Sequence, residues 1–239
     1  MTTRLDPTWQ SEGLAVTLQV DGSETLTDLT RAVSAICDQI ENRHEKSVAI
    51  IEISDARAEE REWPGDVSIQ AVNRWERAVR RLENLSAVSI ASVGGTCGGP
   101  SLDLFLAADY RIGTPDLRLV LPINDGHFWP GMSLFRLVHQ VGQARARQIV
   151  LWGTDISLAA ASDLGLIDRV SNDLGEAVRI AAVLVARISD RETAVRRQLL
   201  AEAGSTEFDD ALGVHLAACD RELRRLRTDP LDSGTGAMS

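Results

Sequence analysis

Lysine is almost absent from this chain. Lys46 is the only one, although the 239 residues contain 25 lysine and arginine side chains and carry a formal net charge of −10. An acidic chain without a basic stripe is a poor candidate for binding nucleic acid, so no nucleic-acid partner is expected. Any phosphate-bearing ligand must be bound by arginine or by backbone N–H groups, because there is almost no lysine to bind it.

Cysteine and long apolar runs are scarce as well. Cys37, Cys97 and Cys219 lie far apart without metal-ligand spacing, and the four histidines are scattered. We therefore expect no metal site and a reducing compartment. No apolar run is long enough to cross a bilayer, and the polar N-terminal segment lacks the apolar stretch of a secretion signal. These absences predict a cytoplasmic protein without membrane contact.

Segments with the pattern of strands alternate with segments that have helical apolar spacing. Strands are predicted at 13–20, 48–53, 88–93, 110–112, 117–121 and 166–170, and helices at 26–43, 67–82, 132–141, 145–152, 158–164, 174–200 and 208–226. Loops marked by charge, glycine or proline are predicted at 55–66 and 122–131. Because this alternation is typical of βαβ units, the sequence predicts an α/β fold with a largely parallel sheet.

A glycine cluster separates one predicted strand from a helix that Pro100 opens. The cluster has no side chains to cover the backbone beside the helix N-terminus at four positions, Gly94, Gly95, Gly98 and Gly99. There, N–H groups and the positive end of the helix dipole favour a negatively charged oxygen. The run lacks the lysine of a P-loop and the G-x-G spacing of a dinucleotide fingerprint, and the chain has no G-x-S-x-G elbow. The turn therefore indicates an anion site that is not a nucleotide loop.

Three ordered stretches carry a resemblance to a known family. They read ASVGGTCGGPSLDLFLAADYRI, LPINDGHFWPGMSLFRLVHQVG and ARQIVLWGTDISLAAASDLGLIDRV. In this order they resemble the crotonase (enoyl-CoA hydratase/isomerase) superfamily, over well more than half of the chain. The resemblance implies a crotonase-like ββα spiral core at 10–172 and a C-terminal helical segment at 173–227. The polar residues 228–239 predict a disordered tail.

The resemblance implies binding of an acyl-CoA thioester, with no cofactor beyond the CoA moiety of the substrate. In the family, two backbone N–H groups hold the thioester oxygen as it becomes an enolate. The loop that supplies the first donor is best matched by Trp63-Pro64-Gly65-Asp66. That match is one residue short, so the implied donor is Gly65 or Asp66.

The second implied donor comes from the glycine turn. When Asp109 is aligned with the family's aspartate, Pro100 falls on the donor position, and proline has no N–H. Either a local shift of one residue makes Gly99, beside Gly98, the donor, or this half of the oxyanion hole is rebuilt. We favour Gly99.

The family's hydratases use two carboxylates as acid and base on the carbons next to the thioester. In the same alignment the first position is Asp103, and the second is Ile123, which cannot titrate. Asp125 lies two residues beyond Ile123 and is the substitute candidate. The alternatives are that Asp103 interacts with the helix dipole and that Asp125 is a turn residue.

Several motifs resemble a group of the family that works beside a type III polyketide synthase making 3,5-dihydroxyphenylacetyl-CoA. They are the Trp-Pro-Gly-Asp loop, the Cys-Gly-Gly turn and Trp129-Pro130-Gly131-Met132. We therefore expect a hydratase or dehydratase that acts on a polyketide-CoA, with Trp63, Phe128 and Trp129 as candidates to line an aromatic substrate pocket or to pack in the core.

Two other roles stay open on the sequence alone. One is a non-catalytic auxiliary protein that binds and enhances the synthase, and the other is a structural subunit in an oligomer with other crotonase homologues. Ile123 and Pro100 favour a role without ordinary hydratase chemistry. The family also implies a homo-trimer or hexamer.

Overall fold

The computed structural model describes residues 8–10, 15–43, 45–54, 63–152, 155–205 and 207–228. They belong to two compact units, Met1–Thr193 and Ala194–Ser239. The strands are β1 (Thr8–Gln10), β2 (Ala15–Val20), β3 (Val48–Ile53), β4 (Val88–Val93), β5 (Thr96–Gly98), β6 (Tyr110–Gly113), β7 (Arg118–Val120), β8 (Ile123–Asn124), β9 (His127–Phe128), β10 (Ile156–Ser157) and β11 (Arg169–Val170). The helices are α1 (Leu26–Glu41), α2 (Ile69–Glu83), α3 (Gly99–Ala107), α4 (Met132–Trp152), α5 (Leu158–Asp163), α6 (Leu174–Val185), α7 (Asp190–Ser205) and α8 (Phe208–Thr228).

The first unit is built on a six-stranded sheet. The strand order is β1-β2-β3-β4-β6-β11, and every pair of neighbours is parallel except β1 and β2. Strand β3 reads VAIIEI and is largely apolar on both faces, and α1 packs against one face and α6 against the other. The predicted α/β fold with a largely parallel sheet is confirmed.

A smaller sheet positions the start of α3. Its order is β10-β7-β5, with β5 parallel to β7, and β5 leads directly into the helix. Residues 100–107 of α3 are all buried, as expected of a helix that is enclosed by other elements on every side. The glycine turn is therefore held between two sheets and an enclosed helix.

The helical pattern predicted at 174–200 is divided into α6 and α7. Ser189 lies directly before α7, and its Oγ accepts the Glu192 N–H at 3.2 Å. Lys46 Nζ donates to the carbonyl oxygen of Ala186, just past the end of α6. The prediction of one long helix is wrong, because these local caps end and restart the backbone hydrogen bonding while the apolar spacing continues.

The predicted loop at 122–131 contains the hairpin of β8 and β9. The φ angles are +47° at Asp125 and +81° at Gly126, so both central residues of the turn are left-handed, as in a type I′ turn. Helix α4 follows this hairpin and is interrupted at Gly142, whose φ of +76° and ψ of 157° are not helical. The two helices predicted at 132–141 and 145–152 are thus the two halves of α4.

Helix α6, which the sequence assigns to the segment 173–227, packs on the main sheet inside the first unit. The second unit contains the rest of α7 and all of α8. Residues 229–239 of the predicted tail and residues 55–62 of a predicted loop lie outside the described residues. No helix in the described part of the chain is both long and apolar enough to cross a membrane.

Candidate active site

The glycine turn delivers the chain from β4 to α3. A Cβ at Gly94 would lie 3.5 Å from the Thr114 side chain, and Gly95 has a φ of +70°. Gly98 is the N-cap of α3, and Gly99 follows with a φ of +54°. Gly95 and Gly99 need glycine because their backbone is left-handed. Pro100 occupies the first turn of the helix, where backbone N–H groups have no partner within the helix, so the lack of an N–H costs no helical hydrogen bond.

The segment Trp63–Asp66 has one buried end and one exposed end. Trp63 is only 5% exposed, and its ring meets the ring of Trp75 edge-on, with the centroids 6.3 Å apart and an interplanar angle of 73°. Gly65 and Asp66 are exposed, and Gly65 has a φ of +76°, with no atom within 4 Å of the place that a Cβ would occupy. The tryptophan therefore anchors a short loop whose backbone faces open space.

Asp103 lies in a closed hydrogen-bonded cluster between α2, α3 and α4. Its Oδ2 accepts the Trp75 Nε1–H at 3.0 Å, and its Oδ1 accepts an Arg136 Nη1–H at 3.3 Å. Arg136 also donates from Nη1 to Glu76 at 3.2 Å and from Nε to Glu83 at 2.6 Å. The side chains of Asp103 and Arg136 are 4% and 5% exposed. One buried guanidinium thus faces three carboxylates, and each oxygen of Asp103 has a donor.

Burial makes the Asp103 carboxyl less acidic than usual. Its pKa is raised from the ordinary 3.8 to about 7, chiefly because burial removes solvation and secondarily because of the Glu76 carboxylate, while the Arg136 guanidinium opposes both. A carboxyl with such a pKa gains and loses a proton near neutral pH. It has the right acidity for acid–base chemistry, although its two oxygens already accept hydrogen bonds from protein groups.

The other candidate carboxylate, Asp125, is not part of this cluster. It is exposed at the tip of the β8–β9 hairpin, two residues beyond the half-exposed Ile123. Phe128 and Trp129 are partly buried and pack against the main core. Trp129 lies over Gly131, where a Cβ would be 2.8 Å from its Nε1. The structure therefore brings Trp63 and Asp103 together around Trp75, whereas Asp125 lies elsewhere.

Sequence reasoning misses the cluster's other members. Helical spacing places Trp75 only on the apolar face of its helix, and Arg136 lies between the apolar residues Phe135 and Leu137. Neighbours in sequence lie on different faces of a helix, so these two residues give no signal that Arg136 is buried and paired. Nothing in the sequence names its partners, which come from two other helices.

Two cavities adjoin these elements. An apolar crevice with a free volume of only about 10 Å³ lies between α3, β7 and α4, and its walls include Leu102, Leu121 and Phe128. A cleft of about 360 Å³ opens at the carboxyl ends of β2, β3 and β4. Asp21 and Glu52 line this cleft and no described lysine or arginine does, so it is poorly suited to phosphate groups.

Comparisons with known proteins agree on one family. A family model described as enoyl-CoA hydratase/isomerase matches residues 62–224. A protein of Amycolatopsis orientalis named enoyl-CoA-hydratase is 43% identical over 212 residues, which are 88% of this chain and 97% of that protein.

Solved structures show the same fold. A putative enoyl-CoA hydratase of Thermobifida fusca in complex with CoA has a TM-score of 0.76 at 19% identity, over 95% of this chain and 96% of that one. A structure of such a protein from the same organism in complex with acetoacetyl-CoA has a TM-score of 0.73 at 20% identity, over 93% of this chain and 96% of that one. The crotonase-like class predicted for the fold is confirmed.

Proposed function

The chain belongs to the enoyl-CoA hydratase/isomerase family, and we propose that it binds an acyl-CoA thioester and stabilises its enolate during loss or addition of water. The observation that carries this proposal is the shared anchorage of two glycine-bearing segments. Trp63–Asp66 and the start of α3 both attach to the buried cluster around Trp75. Two backbone N–H groups held in this way can donate hydrogen bonds to one oxygen and stabilise its negative charge.

The proposed donors are the N–H of Gly65 or Asp66 and the N–H of Gly99. Two N–H groups at about 2.7–3.1 Å from a developing oxyanion each lower the barrier by about 3–4 kcal/mol in other enzymes. Gly98 ends β5 and Pro100 has no N–H, so Gly99 is the donor that we assign to this side.

Asp103 is the proposed acid–base residue. Removal of water from a 3-hydroxyacyl thioester takes a proton from the carbon next to the carbonyl and returns one to the departing hydroxide. A carboxyl with a pKa near 7 can do both in turn at neutral pH. Asp125 remains the second candidate, and its exposed position on a hairpin tip requires the substrate to reach it.

The finer proposal concerns the substrate. The Trp-Pro-Gly-Asp loop, the Cys-Gly-Gly turn and the Trp-Pro-Gly-Met segment support a polyketide-CoA that is dehydrated or aromatised on the way to 3,5-dihydroxyphenylacetyl-CoA. Trp63 is a core residue, and Phe128 and Trp129 pack against the core, so the proposal of an aromatic acyl group rests on the sequence motifs and not on these side chains. We propose a type III polyketide synthase as partner, a homo-trimer or hexamer as assembly, and no cofactor beyond CoA.

The catalytic test is the substitution Asp103→Asn in a dehydration assay with the polyketide-CoA product. Because Asn keeps the shape and cannot exchange a proton, we expect turnover to fall by about 100-fold or more. The matched variant Asp125→Asn makes the same change at an exposed site. Unchanged turnover in Asp103→Asn would remove Asp103 from the mechanism, and a loss in Asp125→Asn alone would transfer the role to Asp125.

A second candidate function is a non-catalytic auxiliary that binds the acyl-CoA or the synthase. The isoleucine at one carboxylate position and the closed hydrogen bonding of Asp103 favour it. The purified protein incubated with crotonyl-CoA or the polyketide-CoA, with and without the synthase, separates the two. Conversion without synthase supports the enzyme, whereas faster synthase turnover without any conversion supports the auxiliary.

A further inference from the structure

Trp75 contacts both segments that would form the oxyanion hole. It is 1% exposed on α2, and its ring lies edge-on to Trp63, the residue that begins the Trp-Pro-Gly-Asp segment. On its other side, its indole N–H donates to Asp103 at 3.0 Å. Asp103 lies one helical turn after Gly99 on the same face of α3. One rigid side chain thus contacts a residue on each of the two segments that carry the proposed donors.

The acceptor of this hydrogen bond is itself held in place. Arg136 donates to the second oxygen of Asp103, and Glu76 and Glu83 hold Arg136. Glu76 follows Trp75 directly on α2, and its other oxygen accepts the Met132 N–H at the start of α4. Asp103 therefore cannot rotate away from the indole without breaking buried, charge-assisted hydrogen bonds.

The spacing of the two donors has to come from such neighbours. Gly65 and Gly99 have no side chain that could pack and fix their own positions. Two N–H groups bind one oxygen only within a few tenths of an ångström of the right separation, and a displacement of about 1 Å can cost about 100-fold in rate. Rigid aromatic packing and a buried hydrogen bond are suited to set a distance this closely.

We propose that Trp75 is a positioning residue, which sets the separation of the two oxyanion donors through its ring contact with Trp63 and its hydrogen bond to Asp103. This inference rests on the proposed function. Trp75 does not touch the substrate in this proposal. It acts on the reaction through the backbone of the two segments that it joins.

Acetoacetyl-CoA tests the proposal without turnover. It has an acidic carbon between two carbonyl groups, and when the proton leaves to the buffer, the negative charge on the oxygens gives a near-ultraviolet enolate band. Binding to a working oxyanion hole strengthens that band at fixed pH. The dissociation constant is measured separately by calorimetry, so binding and enolate stabilisation are read independently.

The variant is Trp75→Phe, which keeps an aromatic ring and removes the N–H. We expect the dissociation constant to stay within about twofold and the enolate band at saturation to fall by about tenfold, because the donors no longer match one oxygen. Trp152→Phe makes the same substitution at an exposed position and should leave both readouts unchanged. A merely structural role for Trp75 would lower the melting temperature and leave the band of the folded protein intact.

A second variant, Trp63→Leu, breaks the other half of the connection and serves if Trp75→Phe does not fold. A normal enolate band at saturation in either folded variant overturns the positioning role. If the native protein and a folded variant both bind acetoacetyl-CoA and give the same enolate band, the positioning role fails and the proposed function stands. If the native protein gives no enolate band, the oxyanion hole itself is refuted, and the positioning role with it.

Discussion

Arg136 is the residue whose removal should damage the fold most clearly. In Arg136→Met the hydrocarbon volume is largely kept, and three carboxylates lose their shared cation. Asp103 is 4% exposed as a side chain, and Glu83 and Glu76 are 15% and 17% exposed, so water can compensate little. Breaking a buried ion pair by removing one partner costs about 3–5 kcal/mol. For a domain of this size that lowers Tm by on the order of 10 °C.

The assay is urea unfolding followed by circular dichroism, at pH 5 and at pH 8. The substitution should lower the free energy of unfolding more at pH 8 than at pH 5. Without the Arg136 guanidinium the pKa of the buried Asp103 rises further, so ionising this carboxyl at pH 8 costs more in the folded protein. Arg31→Met is the matched control: its partner Asp28 is on the same exposed helix face, where a pair contributes about 1 kcal/mol or less. A loss below about 1 kcal/mol in Arg136→Met would refute the idea that this cluster holds the three helices together.

Three further predictions concern single residues. The raised pKa of Asp103, about 7 against an ordinary 3.8, means that its contribution to stability is complete below that ordinary value and is lost as the pH rises towards 7. In urea unfolding, the free energy of unfolding of Asp103→Asn should fall less steeply with pH over this range than that of the native protein, whereas Asp125→Asn should keep the native slope. The same slope in Asp103→Asn and the native protein would contradict the assignment. Gly142→Ala should cost about 1–3 kcal/mol through backbone strain alone, since no atom lies near the added Cβ; a variant with the native Tm would disprove it. Under native conditions a thiol reagent should label the exposed Cys219 and not Cys37, whose burial raises its pKa to about 12; mass spectrometry that finds Cys37 modified before unfolding would contradict this.

Much of the fold could be predicted because the signals are local. The strand at 48–53 has the predicted bounds, and α1 begins at Leu26 as its apolar spacing indicates. The turn Asn-Asp-Gly has the left-handed residues that its composition favours. Where prediction failed, at the break between α6 and α7, the capping hydrogen bonds involve Ser189 and the distant Lys46, and apolar periodicity carries no information about them.

In the candidate site, too, the features that are local in sequence could be predicted and the contacts between distant residues could not. By itself, the sequence determined the glycine turn and the Trp-Pro-Gly-Asp segment, because each is a run of neighbouring residues. Only the tertiary structure decided what surrounds Asp103. Its two donors, Trp75 and Arg136, are 28 and 33 residues away along the chain and lie on different helices. A side chain's burial, its hydrogen-bond partners and therefore its pKa depend on how helices pack, and that is set by the whole core.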